Sequence, residues 1–588
     1  MTQLSTPQGD GRVARLRHAA SLGLAAAVAV LMAPAQSLSD WSPQGNRLST
    51  LSSYQPETFL SCRDRDGVFV VWTERRNSPL QHDIYAQRFT PFGDVALGWP
   101  NNGVLVCGAR GEQDGPSAAI ATGGDLIVEW RDGRSGRAAI YAQRLDAGGG
   151  IAAGWPADGI AIATRGPVWA SSIVSDDEGG AFFSWLDVAD DPRVSVRLQH
   201  LSANGLVASG WPDTGLVVAV SDSGLTSIAC EDGQGGVLLS VLSFTSFTGS
   251  RLSCHRILAS GEVAPGWPAA GVVATSTCDI FNTRTVLPSG DGGALLAWQD
   301  TRNDEGDIYV TRLTHSGTVA PEWPAEGLPT CTASGVQTSP QACSDRSGGI
   351  VVAWSDSRSG GYDIYAGRVT AAGALSPGWP TEGAVVCAAL RLQFLTGIAD
   401  DGTGGAVVVW ADYRDDPAET LPRPYAQRVR GDGAVADGWP VNGLALIPGS
   451  ENAKPQRVVS DGESGAYITW ADFYLSRAYI QRVGAGGNVA PPPPAASLVL
   501  YPANPNPSTG TVNITFVLRN HGVAAATVLD TGGRRVRQLM RPEAQDAGAH
   551  VLTWDGKDDE GRQARPGIYF ARVTAGDSRL TERFAMIR

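Results

Sequence analysis

Apolar residues in this chain fall in short runs separated by turn signals, and one stretch displays the logic. Ser117–Thr122 alternates small and apolar residues, Gly123-Gly124-Asp125 is a turn, and Leu126-Ile127-Val128-Glu129-Trp130 reads as a buried strand. Arg131–Arg137 is polar and Gly-rich, Ile140–Leu145 alternates again, and Trp155-Pro156 with Gly159 leads into Ile160–Ala163. The pattern predicts four short strands and contains no helical periodicity.

The unit recurs. Gly-Trp-Pro, or a close variant, places Trp at 99, 155, 211, 267, 323, 379 and 439, at intervals of 56 residues and finally 60. A second series falls at 72, 130, 185, 298, 354, 410 and 470, with Val241 in the empty slot. Together with Trp41, Trp169 and Trp554 these account for all 17 Trp. Eight four-stranded units with fixed aromatic positions predict an all-β fold, an eight-bladed β-propeller over residues 36–487. A β-solenoid is the rival, and the ends of the array argue against it. The last unit stops after Ala478–Arg482 and Gly484–Val489 without its Gly-Trp-Pro strand. Trp41 and Gly45 stand 58 residues before Trp99 and Gly103. The segment Arg47–Leu51 therefore reads as the missing fourth strand, which closes a ring and removes exposed edges.

Repeat positions that carry chemistry can be weighed against one another. Trp-x-Asp-x-Arg occurs at Trp130/Asp132/Arg134, Trp298/Asp300/Arg302, Trp354/Asp356/Arg358 and Trp410/Asp412/Arg414. Asp-Ile-Tyr-x-x-Arg follows at Asp83, Asp307 and Asp363. Presence in most units predicts a structural turn, with the carboxylate capping the turn and pairing with Arg, rather than a repeated pocket. The Trp series reads as packing between units, each indole burying about 150–250 Å². Acidic turns such as Asp176–Gly180, Asp345–Gly349 and Asp400–Gly405 lack the ligand spacing of a calcium loop and read as β-turns. Cys107, Cys331 and Cys387 occupy a slot that also holds Ala163, Ala219, Thr275 and Ile447, so they read as small buried residues. Eight Cys in an exported chain leave disulfides open, with Cys331–Cys343 the first pair to test. The third and fourth units depart from the pattern at Asp187–Asp191 and at Ser243–Ser250.

Composition narrows the function. Net charge is −13, and apart from Lys454 and Lys557 every basic residue besides His is Arg. No basic stripe is present, which argues against nucleic-acid binding. Arg12, Arg15, Arg17 and His18 precede an apolar run, Ala19–Met32, and then Ala33-Pro34-Ala35. This is the pattern of a secretory signal peptide over 1–35, cleaved after Ala35, and no membrane span is expected afterwards. None of the seven His forms a metal-spaced pair, and no nucleophile elbow or phosphate loop occurs. The sequence therefore nominates no catalytic residue, metal ligand or cofactor, and leaves the ligand-binding residues unassigned.

A Pro run in 488–497 reads as a semi-rigid linker, after which the repeat stops. Residues 498–588 predict strands at Thr511–Leu518, Ala524–Leu529, Gly548–Trp554, Gly567–Val573 and Leu580–Ile587, a small Ig-like β-sandwich. Tyr501-Pro502-Ala503-Asn504-Pro505-Asn506-Pro507 resembles the Tyr-Pro-Asn-Pro opening of type IX secretion-sorting domains, departing from it by the inserted Ala503. Asp530–Arg537, Trp554–Arg562 and Pro566-Gly567-Ile568-Tyr569 resemble the Ig-like domain of the flagellar hook-capping (FlgD) family. The resemblance implies export or surface attachment through the secretion machinery. The expectation is a secreted or surface-displayed binding or scaffold protein whose ring takes a glycan or protein. A propeller glycoside hydrolase or lyase, and a structural or adhesion component, are the alternatives.

Overall fold

The computed structural model describes residues 41–587 apart from short stretches, the longest being 51–58, 279–283, 448–452 and 488–497. The predicted leader and linker thus lie outside the described residues. Among the described residues there is no helix, and hence none long and apolar enough to cross a membrane. The chain builds eight consecutive four-stranded antiparallel sheets and then a two-sheet C-terminal module. Sheets 1–8 are numbered here by their first strands: Phe59–Asp64, Gln113–Ile120, Val168–Ser175, Leu225–Glu231, Arg284–Pro288, Gln337–Ser344, Gln393–Asp400 and Ala453–Ser460. Sheets 4 and 5 are joined by one pairing, Cys278 opposite Asp300.

Sheet 2 departs from the expected boundaries at its first strand. This begins at Gln113, not Ser117, because Gly115 and Pro116 form a bulge that the strand passes through. Sheet 8 has only three strands of its own. Its fourth is Asn46–Arg47, with Asn46 opposite Ile480 and Arg47 opposite Tyr479, one residue earlier and shorter than expected.

The second strand of each sheet is an unbroken apolar run because both of its faces are covered. In Leu126–Asp132, Leu126, Val128 and Trp130 pack with Phe69, Val71 and Trp99 of sheet 1. Ile127 packs the other way, with Phe183 and Trp185 of sheet 3. Alternation along the strand has become alternation between two neighbouring sheets. A core of this kind lies between each pair of consecutive sheets, and another contains Val68, Val70 and Trp72 of sheet 1 with Tyr467, Ala471 and Ile480 of sheet 8. Trp41 belongs to that last core and is fully buried. A buried indole removes enough apolar surface to stabilise by about 5 kcal/mol before conformational entropy is counted.

The two Trp series do different work. The strand Trp stacks on the Tyr facing it, as in Trp72/Tyr85, Trp354/Tyr365 and Trp470/Tyr479, at interplanar angles of 25°, 19° and 16°. Its ring tip lies against the Gly that closes the Gly-Trp-Pro turn: a Cβ on Gly103 would stand 2.5 Å from Trp72 Cη2. The Gly-Trp-Pro indoles tie each sheet to the next. Their Nε1 atoms donate to backbone carbonyls 2.8–3.1 Å away, at Ala147, Ala203, Ala259, His315, Ala371, Gly431 and Ala485. Trp41 does the same to Pro91 of sheet 1, at 3.0 Å.

The C-terminal module has one three-stranded sheet and one four-stranded sheet around a core of Phe516, Trp554, Tyr569 and Phe584. Two of its seven strands were not expected, Leu498–Leu500 and Arg535–Gln545. The second is an edge strand with exposed charges and Pro542, composition that protects an edge and hides it from an apolar pattern.

Candidate functional site

The Trp-x-Asp-x-Arg turns are self-contained. Asp132 accepts from Trp130 Nε1 at 2.8 Å, from the Arg134 backbone N–H at 2.8 Å and from the Arg134 guanidinium at 2.7–2.8 Å. Arg134 lies 3.9 Å from the Tyr141 ring centroid and donates onward to the Asp158 carbonyl. The same set recurs at Asp300/Arg302, Asp356/Arg358 and Asp412/Arg414. At Asp300, burial raises the carboxyl's pKa, but hydrogen bonds from Arg302 and Trp298 outweigh it and hold it below the ordinary range. With its oxygens committed to Trp and Arg, this carboxylate is a turn anchor.

The Cys slot belongs to this turn. Arg134 Nη2 stands 3.2 Å from Cys107 Sγ, and Arg302 Nη2 stands 3.3 Å from Thr275 Oγ1 in the equivalent place. Cys107, Cys331 and Cys387 thus stand where Thr serves as well, a polar role that reading them as substitutes for Ala misses. Burial pushes their thiols up to about 12, which keeps them protonated and unreactive. The six described Cys are free, and the candidate pair Cys331 and Cys343 sits in two different cores.

The Arg of the third strand does not pair with the Asp of Asp-Ile-Tyr, as the motif suggested. Asp83 and Asp307 instead accept from turn residues Asn77 and Asn303. The Arg reaches the acidic turn between the first and second strands: Arg428 meets Asp401 and Arg482 meets Asp461, while Asp401 and Asp461 also cap their own turns. It then donates to the carbonyl that holds the Gly-Trp-Pro indole, as Arg144 does to Ala203 and Arg368 to Gly431. Among the described residues no group of three or more His, Cys, Asp or Glu could hold a metal ion.

Sheets 3 and 4 rebuild the same positions with other residues. Arg197 takes the Tyr place opposite Trp185 and pairs with Asp187 at 2.6 Å. His200 takes the Arg place, with Nε2 on Asp176 at 2.8 Å and Nδ1 3.3 Å from the Ala259 carbonyl. In sheet 4, where Val241 replaces Trp, the His255 ring fills the vacated space: a Cβ on Gly271 would meet His255 Nε2 at 2.5 Å. Burial, with Arg251 nearby, pushes the His255 pKa down to about 4, so the imidazole is neutral. A depression of about 140 Å³ between sheets 2 and 3 is lined by Thr164, Val168, Asp187, Arg197 and Asp213. It is small beside the 300 Å³ or roughly more of a ligand pocket.

Trp169 is the feature the repeat does not absorb. It is 53% exposed, whereas every other described Trp is buried. The Arg131 guanidinium lies 5.1 Å from its ring centroid, and Arg131 is held by Asp114, with Nε 2.6 Å from Oδ1. The result is an indole braced by a cation, with over half its surface in solvent. The sequence signal was available, because Trp169 belongs to neither Trp series. A second aromatic group lies at the corresponding end of sheets 6 and 7. Phe394 is 5.2 Å from Tyr362 and 6.0 Å from Tyr413, measured between centroids. Leu390, four residues earlier in the chain, is 85% exposed.

The FlgD Ig-like domain family matches residues 504–579. No curated protein matches the chain. Solved structures with some likeness include an ulvan lyase of family PL25, at 10% identity and TM-score 0.42, covering 76% of this chain and 97% of that one. PorZ, a surface component of the type-IX secretion system of Porphyromonas gingivalis, gives 11% identity and TM-score 0.22 over 92% of this chain and 100% of that one. Dipeptidyl peptidase 4 of Porphyromonas gingivalis gives 9% identity and TM-score 0.37, over 84% of this chain; the chain spans 60% of the peptidase's length. Likenesses this distant carry no activity over to the present chain.

Proposed function

We propose that the eight sheets close into one eight-bladed β-propeller, and that the end bearing Trp169 binds carbohydrate on an exported, surface-displayed chain. The ring reading is supported by the seam between sheets 8 and 1. There Trp41 and Arg482 both address the Pro91 carbonyl, as Trp99 and Arg88 both address Ala147. The C-terminal module serves export or anchoring, a reading that draws on its FlgD-like fold and on the leader-like N-terminus. Removing residues 498–588 is expected to abolish surface display in the native host.

Trp169 carries the binding reading. An exposed indole costs apolar hydration, and here a buttressing Arg131–Asp114 pair fixes it in place. Flat apolar faces of sugar rings suit such a platform. Covering the exposed half of the indole removes about 100 Å² from water, at most about 2.5 kcal/mol or about 70-fold in affinity. Affinity electrophoresis of the chain from residue 36 through gels containing hydroxyethyl cellulose, xylan, laminarin or alginate tests this. Retardation in at least one gel, lost in W169A, is expected. Retardation in none of them, or equal retardation of W169A, refutes the carbohydrate reading.

A further inference from the structure

Trp169 and Phe394 occupy one and the same position of the repeat. Each lies in the first strand of its sheet, opposite the residue that follows the strand Trp: Trp169 faces Leu186 and Phe394 faces Ala411. The described equivalents are polar, namely Asp114, Thr226, Thr338 and Lys454, facing Arg131, Leu242, Ser355 and Ala471. The two aromatic members stand in sheets 3 and 7, four sheets apart. In a ring of eight that is half a turn, so they face each other across one end of it. The polar members fall between them on both sides, Thr226 and Thr338 on one, Lys454 and Asp114 on the other.

The Phe394 side carries its own mark of strain. Arg391 has φ +73°, where Gly111 and Gly335 stand at the matching turns of other sheets. A left-handed Arg costs about 1 kcal/mol that Gly would not. Three backbone carbonyls of the turn, Ala389, Leu390 and Arg391, accept from the buried Gln393 side chain. Held this way, the turn leaves Leu390 in solvent.

We propose that Trp169 and Phe394 are the two ends of one track for a linear polysaccharide that crosses the mouth of the ring. This rests on the ring and carbohydrate readings above. Sugar rings stack at the two aromatic ends, and hydroxyls between them meet the Thr and Lys side chains, while Asp114 stays committed to bracing Arg131. A chain long enough to span the mouth engages both ends at once, so the second contact is made at high effective concentration.

The test uses fragments of graded length cut from whichever of the four polysaccharides retards the chain, titrated by calorimetry into wild type, W169A, F394A and F394L. F394L keeps the apolar volume and removes the aromatic face, so a folding defect in F394A does not obscure the result. Short fragments are expected to bind with an affinity that W169A reduces and F394L leaves alone. Beyond a threshold length, affinity is expected to rise by about 100-fold, and F394L is expected to erase that rise. Affinity that does not step up with length, or an F394L effect that is nil or equal at all lengths, overturns the track while leaving the Trp169 site standing. Failure of every polysaccharide to bind overturns both.

Discussion

Trp41→Ala tests the ring most directly. Trp41 is fully buried among Phe89, Tyr467 and Ile480, 6.3 Å from the Phe89 centroid and 5.9 Å from that of Tyr467. Its Nε1 is bonded to Pro91 of sheet 1. Truncation removes the indole and leaves a cavity, a loss of about 3–5 kcal/mol for buried Trp or Phe to Ala. An entropy of unfolding of about 2.1 cal/mol/K per residue gives about 0.95 kcal/mol/K for an array of this length, so the midpoint should fall by about 3–5 °C. Trp323→Ala, in an interface between two consecutive sheets, is the internal control. Scanning calorimetry of the two variants should show equal shifts of one cooperative transition if sheets 8 and 1 form a seam like the others. If W41A leaves the main transition in place and only adds a small early phase, the N-terminal strand is merely appended and the ring argument fails. Deleting residues 36–52 should behave as W41A does, with a larger shift.

Two other substitutions probe positions where the repeat is rebuilt. His255 has a folded pKa near 4 against 6.5 unfolded, so the unfolded chain binds the extra proton and stability falls as pH drops from 6.5 to 4. The contribution lost by pH 4.5 is about 2–3 kcal/mol, and H255Q, which installs the residue found at 87, 143, 199, 427 and 481, should remove that slope in urea titrations at pH 7 and 4.5. An unchanged slope would place the acid sensitivity elsewhere. Arg391→Gly should raise the urea midpoint by about 0.5–1 kcal/mol of stability, since relief of the left-handed backbone exceeds the loss of an exposed ion pair to Glu419; a lower midpoint would contradict the strain.

What could be read from sequence follows from which contacts repeat. Trp and Gly at fixed intervals exposed the strands and turns, because each repeat solves the same packing problem. The Asp/Arg turns were legible as scaffold for the same reason. That the Trp pack between units was legible too, but the particular partners of those contacts were not. No local pattern announces that a Gly-Trp-Pro indole bonds a carbonyl 48 residues on, as Trp155 does to Ala203. His255 filling the space of a missing Trp is equally invisible, since the two occupy different strands. Arg535–Gln545 was hidden by the very charges that guard its edge. Trp169 stood out only as a residue without a series, and its exposure needed the structure.

The carbonyl shared by an indole and a third-strand Arg or His has a consequence for how such a chain can be cut and grown. All eight seams use these parts, including the one where Trp41 supplies the indole, Arg482 the guanidinium and Pro91 the carbonyl. In the proposed ring the chain break is therefore interchangeable among seams. A circular permutant that joins residues 487 and 41 by a short linker and opens at the exposed Gly108 or Arg110, between sheets 1 and 2, would keep every staple. Whole units, by contrast, cannot be added singly to the proposed ring without moving the last guanidinium away from the Pro91 carbonyl that it reaches.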